Sequence, residues 1–341
     1  MVRKEQEEKK AKERAKAERE TAEIAAEKRK RFTLKALCLA YCNLLEANGK
    51  SQSAGHARSV FKCHVFTPHR SIAAQPAQDI TAHQIATIVR KVAEQGKDRT
   101  AGILRSYLSA AFNAARKAPF DAKLPADLIA FGVVSNPVEP VSTIAVQRGG
   151  HTLAAEELKV YMAALSQDDL PDLALNLSLL AGGQRMAQLL RAKVSDYTDD
   201  TETLRLWDGK GKRSTPREHL LPLAPKGKAV SIINKLIARE KKQEDASAKK
   251  EGREPRYGAL WLFSSHGKQQ LVETTPGKRV SAICKAMKGE PFDLRDIRRT
   301  CETMLAEMGI SKDTRAQLLS HGLSGVQSAH YDRHSYTNEK R

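Results

Sequence analysis

The chain is poor in cysteine, poor in aromatic residues, and nowhere apolar for long. It has 5 cysteines in 341 residues, at positions 38, 42, 63, 284 and 301. They form no CxxC pair, and they read as small buried apolar side chains of a reducing compartment rather than a disulfide framework. Cys63 and His64 are neighbours, but no second pair completes the four ligands of a zinc site. Aromatic residues make up 5%, too few for a single-strand binder built on stacking platforms, and the RRM and KH patterns are missing. No apolar run approaches the ~20 residues that cross a bilayer. The opening residues, MVRKEQEEKKAKERAKAERE, lack the apolar core of a signal peptide. A secreted scaffold and a membrane protein are thereby excluded, and the expected location is cytoplasmic. No self-similarity at a period of 20–50 residues points to a solenoid.

Positive charge is what the chain has in excess. Lys and Arg total 58 against 40 Asp and Glu, a net charge of +18 with histidines neutral, which makes a polyanion the expected partner. Residues 1–31 carry 12 basic and 8 acidic side chains with apolar positions too sparse for a stripe. This reads as a charged helical arm, solvated or lying along nucleic acid.

From Phe32 the texture changes. Leu34, Leu37, Cys38, Tyr41, Leu44 and Leu45 fall at helical spacing and the pattern stops at Gly49. Further helices are predicted from Ala54 to Val65, after Thr81 and after Thr100, so residues 32–136 form an all-α bundle. NPVEPVSTIAVQRGG, with two prolines and two glycines, marks a linker over 137–150. Beyond it, 151–341 form a second domain. Its sequence predicts a helix from HTLAAEELKVYMAAL, then two helices broken at Gly182-Gly183. TLRLW and HLLPL follow as strands either side of an Asp208-Gly209 turn. A long basic helix over roughly 227–250, a strand around Leu260–Phe263 and three or four final helices complete it. The expected architecture is two domains: an all-α bundle and a mainly α (α+β) domain with a small antiparallel sheet.

The most informative segment is FDLRDIRRTCETMLAEMG. Asp293 followed by Asp296 resembles a helix start and Gly309 fits the stop, with Ile297, Cys301, Met304, Leu305 and Met308 on one face. Arg295 and Arg298, three apart, flank that face at the helix amino end, where two guanidiniums can bracket one phosphate. Upstream, Arg185 follows the Gly-Gly break and Lys210 lies in the hairpin turn. Downstream stand His321, just after an apolar helix, and Tyr331.

Arg, Lys, Arg-x-x-Arg, His and Tyr in this order closely resemble the tyrosine recombinases of the phage integrase type. The matching strings are AGGQR ending at Arg185, KGK from Lys210, RDIRRT from Arg295, LSH ending at His321, and HYDR around Tyr331. The resemblance covers roughly residues 32–341, with 32–136 similar to the family's core-binding domain. It implies a site-specific recombinase, an integrase of a mobile element, that cuts DNA by attack of Tyr331 on a phosphodiester. A 3′-phosphotyrosyl bond and a free 5′-hydroxyl result, with no cofactor or metal. Arg185 and Arg298 carry over as phosphate clamps, His321 as a further phosphate ligand, and Lys210 as the acid for the leaving oxygen. The family's first residue of the Arg-x-x-Arg string is histidine; here it is Arg295, which binds phosphate but accepts no proton near neutral pH. Gln188 stands where the family has an acidic residue three after Arg185, which weakens the expected support of that clamp.

Lys212 and Arg213 compete with Lys210 in the turn, and Tyr336 with Tyr331. His330 and His334 flank Tyr331 as polar neighbours of DNA. Arg58, Lys62, Arg99, Arg105 and Arg148, with Lys212 and Arg213, suit a grip on the DNA backbone, which positions a duplex without reading it. The resemblance further implies double-stranded recombination sites as substrate, self-association to a tetramer on paired sites, and accessory DNA-bending or directionality proteins. Only ten residues follow Tyr331, so an element exchanged between subunits is expected to be short. Residues 1–31 are too short for the arm-binding domain of larger phage members. A catalytically impaired DNA-binding regulator, with Arg295 as its mark, and a type IB topoisomerase-like activity are the alternatives.

Overall fold

The computed structural model describes residues 30–145, 149–209, 216–267, 269–321 and 334–340. Nearly all of the predicted 1–31 arm lies outside the described residues, as do Arg148, Lys210, Lys212, Arg213, His330 and Tyr331. The chain divides into two compact units, Met1–Arg148 and Gly149–Arg341.

The first unit is all-α. Thr33 caps α1 (Leu34–Ala47), its hydroxyl accepting from the Ala36 N–H at 3.2 Å. α2 (Ser51–Phe61) begins earlier than the pattern suggests and gives way to a π-helical turn, Lys62–Phe66. After the short α3 (Arg70–Ala73), a Thr81/Gln84 capping box starts α4 (Ala82–Ala93), and α5 (Asp98–Lys117) follows. Leu34, Leu37, Phe61, Ile85, Ile88, Leu104, Leu108 and Phe112 are fully buried at the centre. Cys38 and Cys42 are buried here too, but Cys63 is exposed, lying off the face that Ala54, Ala57, Phe61 and Val65 turn to the core.

The stretch read as a linker is in part structure of this unit. Val138 is fully buried, and Val141 and Ile144 pack against the core. Arg105 donates through Nε to the Val141 carbonyl at 2.7 Å and through Nη2 to that of Val138 at 3.5 Å. The last helical turn of the unit ends at Phe131 with Gly132 as its cap, and the chain through Pro137 and Pro140 stays packed on the core.

The second unit is mainly α with one small sheet. α6 (Ala155–Ala163) and α7 (Leu170–Leu180) lead to the Gly-Gly break, after which α8 (Met186–Leu189) is a single turn. β1 (Tyr197–Thr198), β2 (Thr203–Asp208) and β3 (Arg217–Pro222) form an antiparallel sheet in the order β1-β2-β3, with Leu204 opposite Leu221 and Asp208 opposite Arg217. Then come α9 (Lys228–Glu251), α10 (Thr274–Met287), α11 (Leu294–Glu307), α12 (Lys312–Leu318) and α13 (Thr337–Lys340).

The strand expected around Leu260–Phe263 is absent. Leu260, Leu262 and Phe263 are buried, yet the segment pairs only through single bridges, Lys193 with Trp261 and Ser264 with Gln270. Its apolar run reports burial rather than a ladder. An ion pair ties α7 to α10: the partly exposed Arg279 donates to both carboxylate oxygens of the fully buried Asp172, at 2.8 and 3.0 Å. The tail folds back on its own sheet, Lys340 Nζ donating to the Leu220 carbonyl at 3.1 Å.

Candidate active site

The site is organised by how α11 starts. Asp293 is the N-cap, accepting from the Arg295 N–H at 2.7 Å, while the Asp296 carboxylate accepts from the Asp293 N–H at 2.8 Å. One flank is fastened to the beginning of the unit. Thr300 Oγ1 accepts from the Leu153 N–H at 2.9 Å, and Arg299 donates to the carbonyls of His151 and Gly149 at 3.0 and 3.1 Å. Arg298 therefore faces the Gly-Gly turn. Its Nη1 donates to the Gly183 carbonyl at 2.9 Å and its Nη2 to that of Leu319 at 2.7 Å.

The two glycines make this approach possible. Gly183 has φ +85°, and a Cβ there would lie 2.9 Å from Cys301 Cβ and 3.1 Å from Arg298 Cα. Gly182 has φ +79°, and a Cβ would meet Leu318 Cδ2 at 2.9 Å. The turn thus brings α11 and the end of α12 against the residues that carry Arg185.

Three consecutive carbonyls at the end of α12 are then held by three side chains. Leu318 accepts from Gln184 Nε2 at 2.9 Å, Leu319 from Arg298 as above, and Ser320 from Arg185 Nη1 at 3.2 Å. Ser320 sits at φ +48° and its hydroxyl donates to Asp208 Oδ2 at 2.9 Å. That same oxygen is 3.7 Å from Arg185 Nη1. The next residue is His321, whose N–H closes the helix end on the Ala316 carbonyl at 2.9 Å and whose side chain is exposed.

Burial, and secondarily the guanidinium of Arg185, lower the Arg298 pKa to about 10. It is still a cation at neutral pH, concentrated in a partly dehydrated wall. The neighbouring Cys301 thiol is pushed up to about 11 by burial, so it is inert as a nucleophile.

Of the expected site residues, Arg185, Arg298 and the turn bearing His321 come together. Arg295 points outward instead: its Nη2 donates to Asp293 Oδ2 at 2.8 Å and its side chain is exposed. The neighbour of Arg298 is Arg185, not Arg295. Gln188 is buried, with neither amide atom partnered among the described residues. His334 pairs with Glu339 at 3.4 Å and stacks edge-on with Tyr336, ring centroids 4.6 Å apart.

In the first unit Lys62 and Arg99 are exposed, Arg58 is engaged by Asn43 at 2.7 Å and by Glu46, and Arg105 holds the 138–141 segment. Sequence reasoning missed Gln184, Asp208 and Ser320. One signal was readable for Asp208: strand alternation puts it on the buried side with Leu204 and Leu206.

The Phage integrase family profile matches residues 151–337. The integrase of Enterobacteria phage 434 is 33% identical over 132 residues, 38% of this chain and 33% of that protein, so the match spans about a third of the relative's length. Among solved structures, a lambda integrase dimer bound to a core site is 23% identical with a TM-score of 0.59, covering 92% of this chain and 80% of that one. A lambda integrase tetramer bound to a Holliday junction is 21% identical with a TM-score of 0.60, covering 90% and 83%. The Tn1549 transposon integrase, in complex with circular intermediate DNA, is 14% identical with a TM-score of 0.57, covering 89% and 99%. These structures share the fold, and the profile spans the Gly-Gly turn, the hairpin, α11 and the tail. The chain belongs to the phage integrase family of tyrosine recombinases.

Proposed function

We propose that this recombinase is the integrase of a mobile element, cutting and rejoining duplex DNA in the cytoplasm through a 3′-phosphotyrosyl intermediate on Tyr331. The observation that carries this reading is the convergence of Arg185 and Arg298 on the turn that ends in His321. Two preorganised cations there suit the charge that builds on the non-bridging oxygens of a pentacoordinate phosphate. The Tyr331 oxygen attacks phosphorus as its proton passes to His321, and the bond to the 5′-oxygen breaks. Lys210, two residues beyond Asp208 in the hairpin, supplies the proton to that oxygen. The phosphotyrosyl bond keeps the energy of the broken one, so a 5′-hydroxyl of a second strand reverses the step without metal or nucleotide.

Arg295 adds a phosphate contact at the rim. The first unit serves as the core-binding domain, closing on the duplex with exposed Lys62 and Arg99. By analogy with the lambda integrase complexes, a tetramer on paired sites is the working assembly, joined by accessory DNA-bending proteins.

The test is a nicked duplex carrying the element's end, incubated with the full chain in EDTA and resolved on a denaturing protein gel. A covalent protein–DNA band that is lost in Tyr331→Phe, with binding retained, supports the reading. Specific binding without any band would overturn it in favour of a DNA-binding regulator, with Arg295 as the first suspect.

A further inference from the structure

Resting on that reading, the chemistry requires Arg185 to be held. The residue three positions on is Gln188, whose buried amide has no partner among the described residues and carries no charge to offer. A carboxylate nevertheless reaches the clamp from another element. We propose that Asp208 is the positioning residue for Arg185, doing from the end of β2 what an acid at position 188 would do from α8.

Strand alternation turns Asp208 inward, behind Leu204 and Leu206, where it is 7% exposed. Its Oδ2 accepts the Ser320 hydroxyl at 2.9 Å and stands 3.7 Å from Arg185 Nη1, and Arg185 in turn donates to the Ser320 carbonyl at 3.2 Å. Arg185, Ser320 and Asp208 close a ring of contacts. At 3.7 Å the carboxylate attracts the guanidinium as a charge without taking a hydrogen bond from it. The remaining donors of Arg185 are left for a phosphate.

The ring also joins segments that the proposed reaction needs in register. Asp208 is two residues before Lys210, and Ser320 is one before His321. A single carboxylate thus fastens the strand end that delivers the acid to the turn that delivers the histidine. Gln188 is three residues on from Arg185, its N–H bonded to the Arg185 carbonyl at 2.9 Å, and its buried amide has no partner among the described residues, so an acid introduced there would put an unpaired charge in the first turn after the same arginine.

The experiment compares the full chain with Asp208→Asn, Gln188→Glu and the double variant. The readouts are single-turnover covalent complex formation on nicked duplex, DNA affinity and melting temperature. Asparagine keeps an acceptor for Ser320 and removes only the charge. We expect Asp208→Asn to slow cleavage about 10-fold, the scale of losing an orienting partner, with DNA affinity and melting temperature held. Gln188→Glu in that background should restore most of the rate. Wild-type cleavage by Asp208→Asn, or no recovery in the double variant, would overturn the proposal, since a purely structural role is not rescued by charge at 188. If the unaltered chain forms no covalent complex, the recombinase reading fails separately. The pairing is then judged by urea denaturation of Arg185→Ala, Asp208→Asn and their combination: non-additive midpoints support it and additive ones overturn it.

Discussion

Replacing Gly183 by alanine adds one methyl group at the point where α11 approaches the Gly-Gly turn most closely. That methyl would lie 2.9 Å from Cys301 Cβ, 3.1 Å from Arg298 Cα and 3.2 Å from Cys301 Sγ. Ordinary carbon contacts are about 3.5–4.0 Å, and two of these neighbours move only if the helix moves. Relief requires α11 to withdraw by roughly 0.5–1 Å, the difference between those distances. The φ of +85° at Gly183 adds a separate cost for a residue with a Cβ, about 1–2 kcal/mol. Overpacking adds about 1–3 kcal/mol, for a total of about 2–5 kcal/mol.

Gly252 supplies the control. Its φ of +66° is in the same region, but a Cβ there meets nothing within 4 Å, so Gly252→Ala should cost only the backbone part, about 1–2 kcal/mol. Urea denaturation of the two variants measures the difference directly. Cleavage by Gly183→Ala should also fall by about 10-fold or more below its melting range, because a retreating α11 carries Arg298 off its carbonyl partners. Equal destabilisation by the two alanines, or unaltered cleavage in Gly183→Ala, would refute the reasoning.

Arg185→Ala and Arg298→Ala should each slow covalent complex formation on the order of 100-fold, the scale of losing one preorganised charge donor; near-normal single-turnover rates in both would sink the clamp. Arg295→His, at an exposed position, should retain or raise activity in the same assay, and a dead variant would give arginine a role of its own. Arg279→Ala leaves the fully buried Asp172 without its cation and should destabilise the chain by about 3 kcal/mol in a urea melt, whereas a loss under ~1 kcal/mol would mean the pair is dispensable. Burial pushes the Glu240 carboxyl up to about 7, against 4.5 ordinarily. Because the folded value is the higher one, its contribution is full below about pH 4.5 and is lost as pH rises through about 7, on the order of 3 kcal/mol. The wild-type stability should therefore fall relative to Glu240→Gln between pH 5 and pH 8, and a pH-independent difference would contradict the assignment.

The helices were legible where short-range physics decides them. Thr81 with Gln84, and Asp293 with Asp296, are caps written in the side chains, and α4 and α11 begin where those pairs say. The two strands of the hairpin were legible from their apolar alternation, but the Asp-Gly step was misplaced as a turn: Asp208 is the last residue of β2, paired with Arg217. Leu260–Phe263 was misjudged because a buried apolar run looks the same whether or not a neighbour offers a ladder. The 137–144 stretch was misjudged because Pro137 and Pro140 signal irregular backbone, not the end of packing. In the site, Arg185 and Arg298 stand out as residue types in an ordered pattern. Their holders do not, since Arg298 rests on main-chain oxygens and Asp208 acts across more than a hundred residues of sequence from Ser320.

Those main-chain oxygens have an evolutionary consequence. Arg298 is fixed by the carbonyls of Gly183 and Leu319, and every amino acid carries a carbonyl. No point substitution at 319 deletes the acceptor, so Leu319 is constrained by the burial of its side chain and not by its contact to Arg298, while Gly183 is pinned by its shape alone. Mutational fragility is thus concentrated at the glycines and at the arginines themselves. A lineage of such chains could exchange its surface, and with it its target sequences, without disturbing what keeps this cation in place.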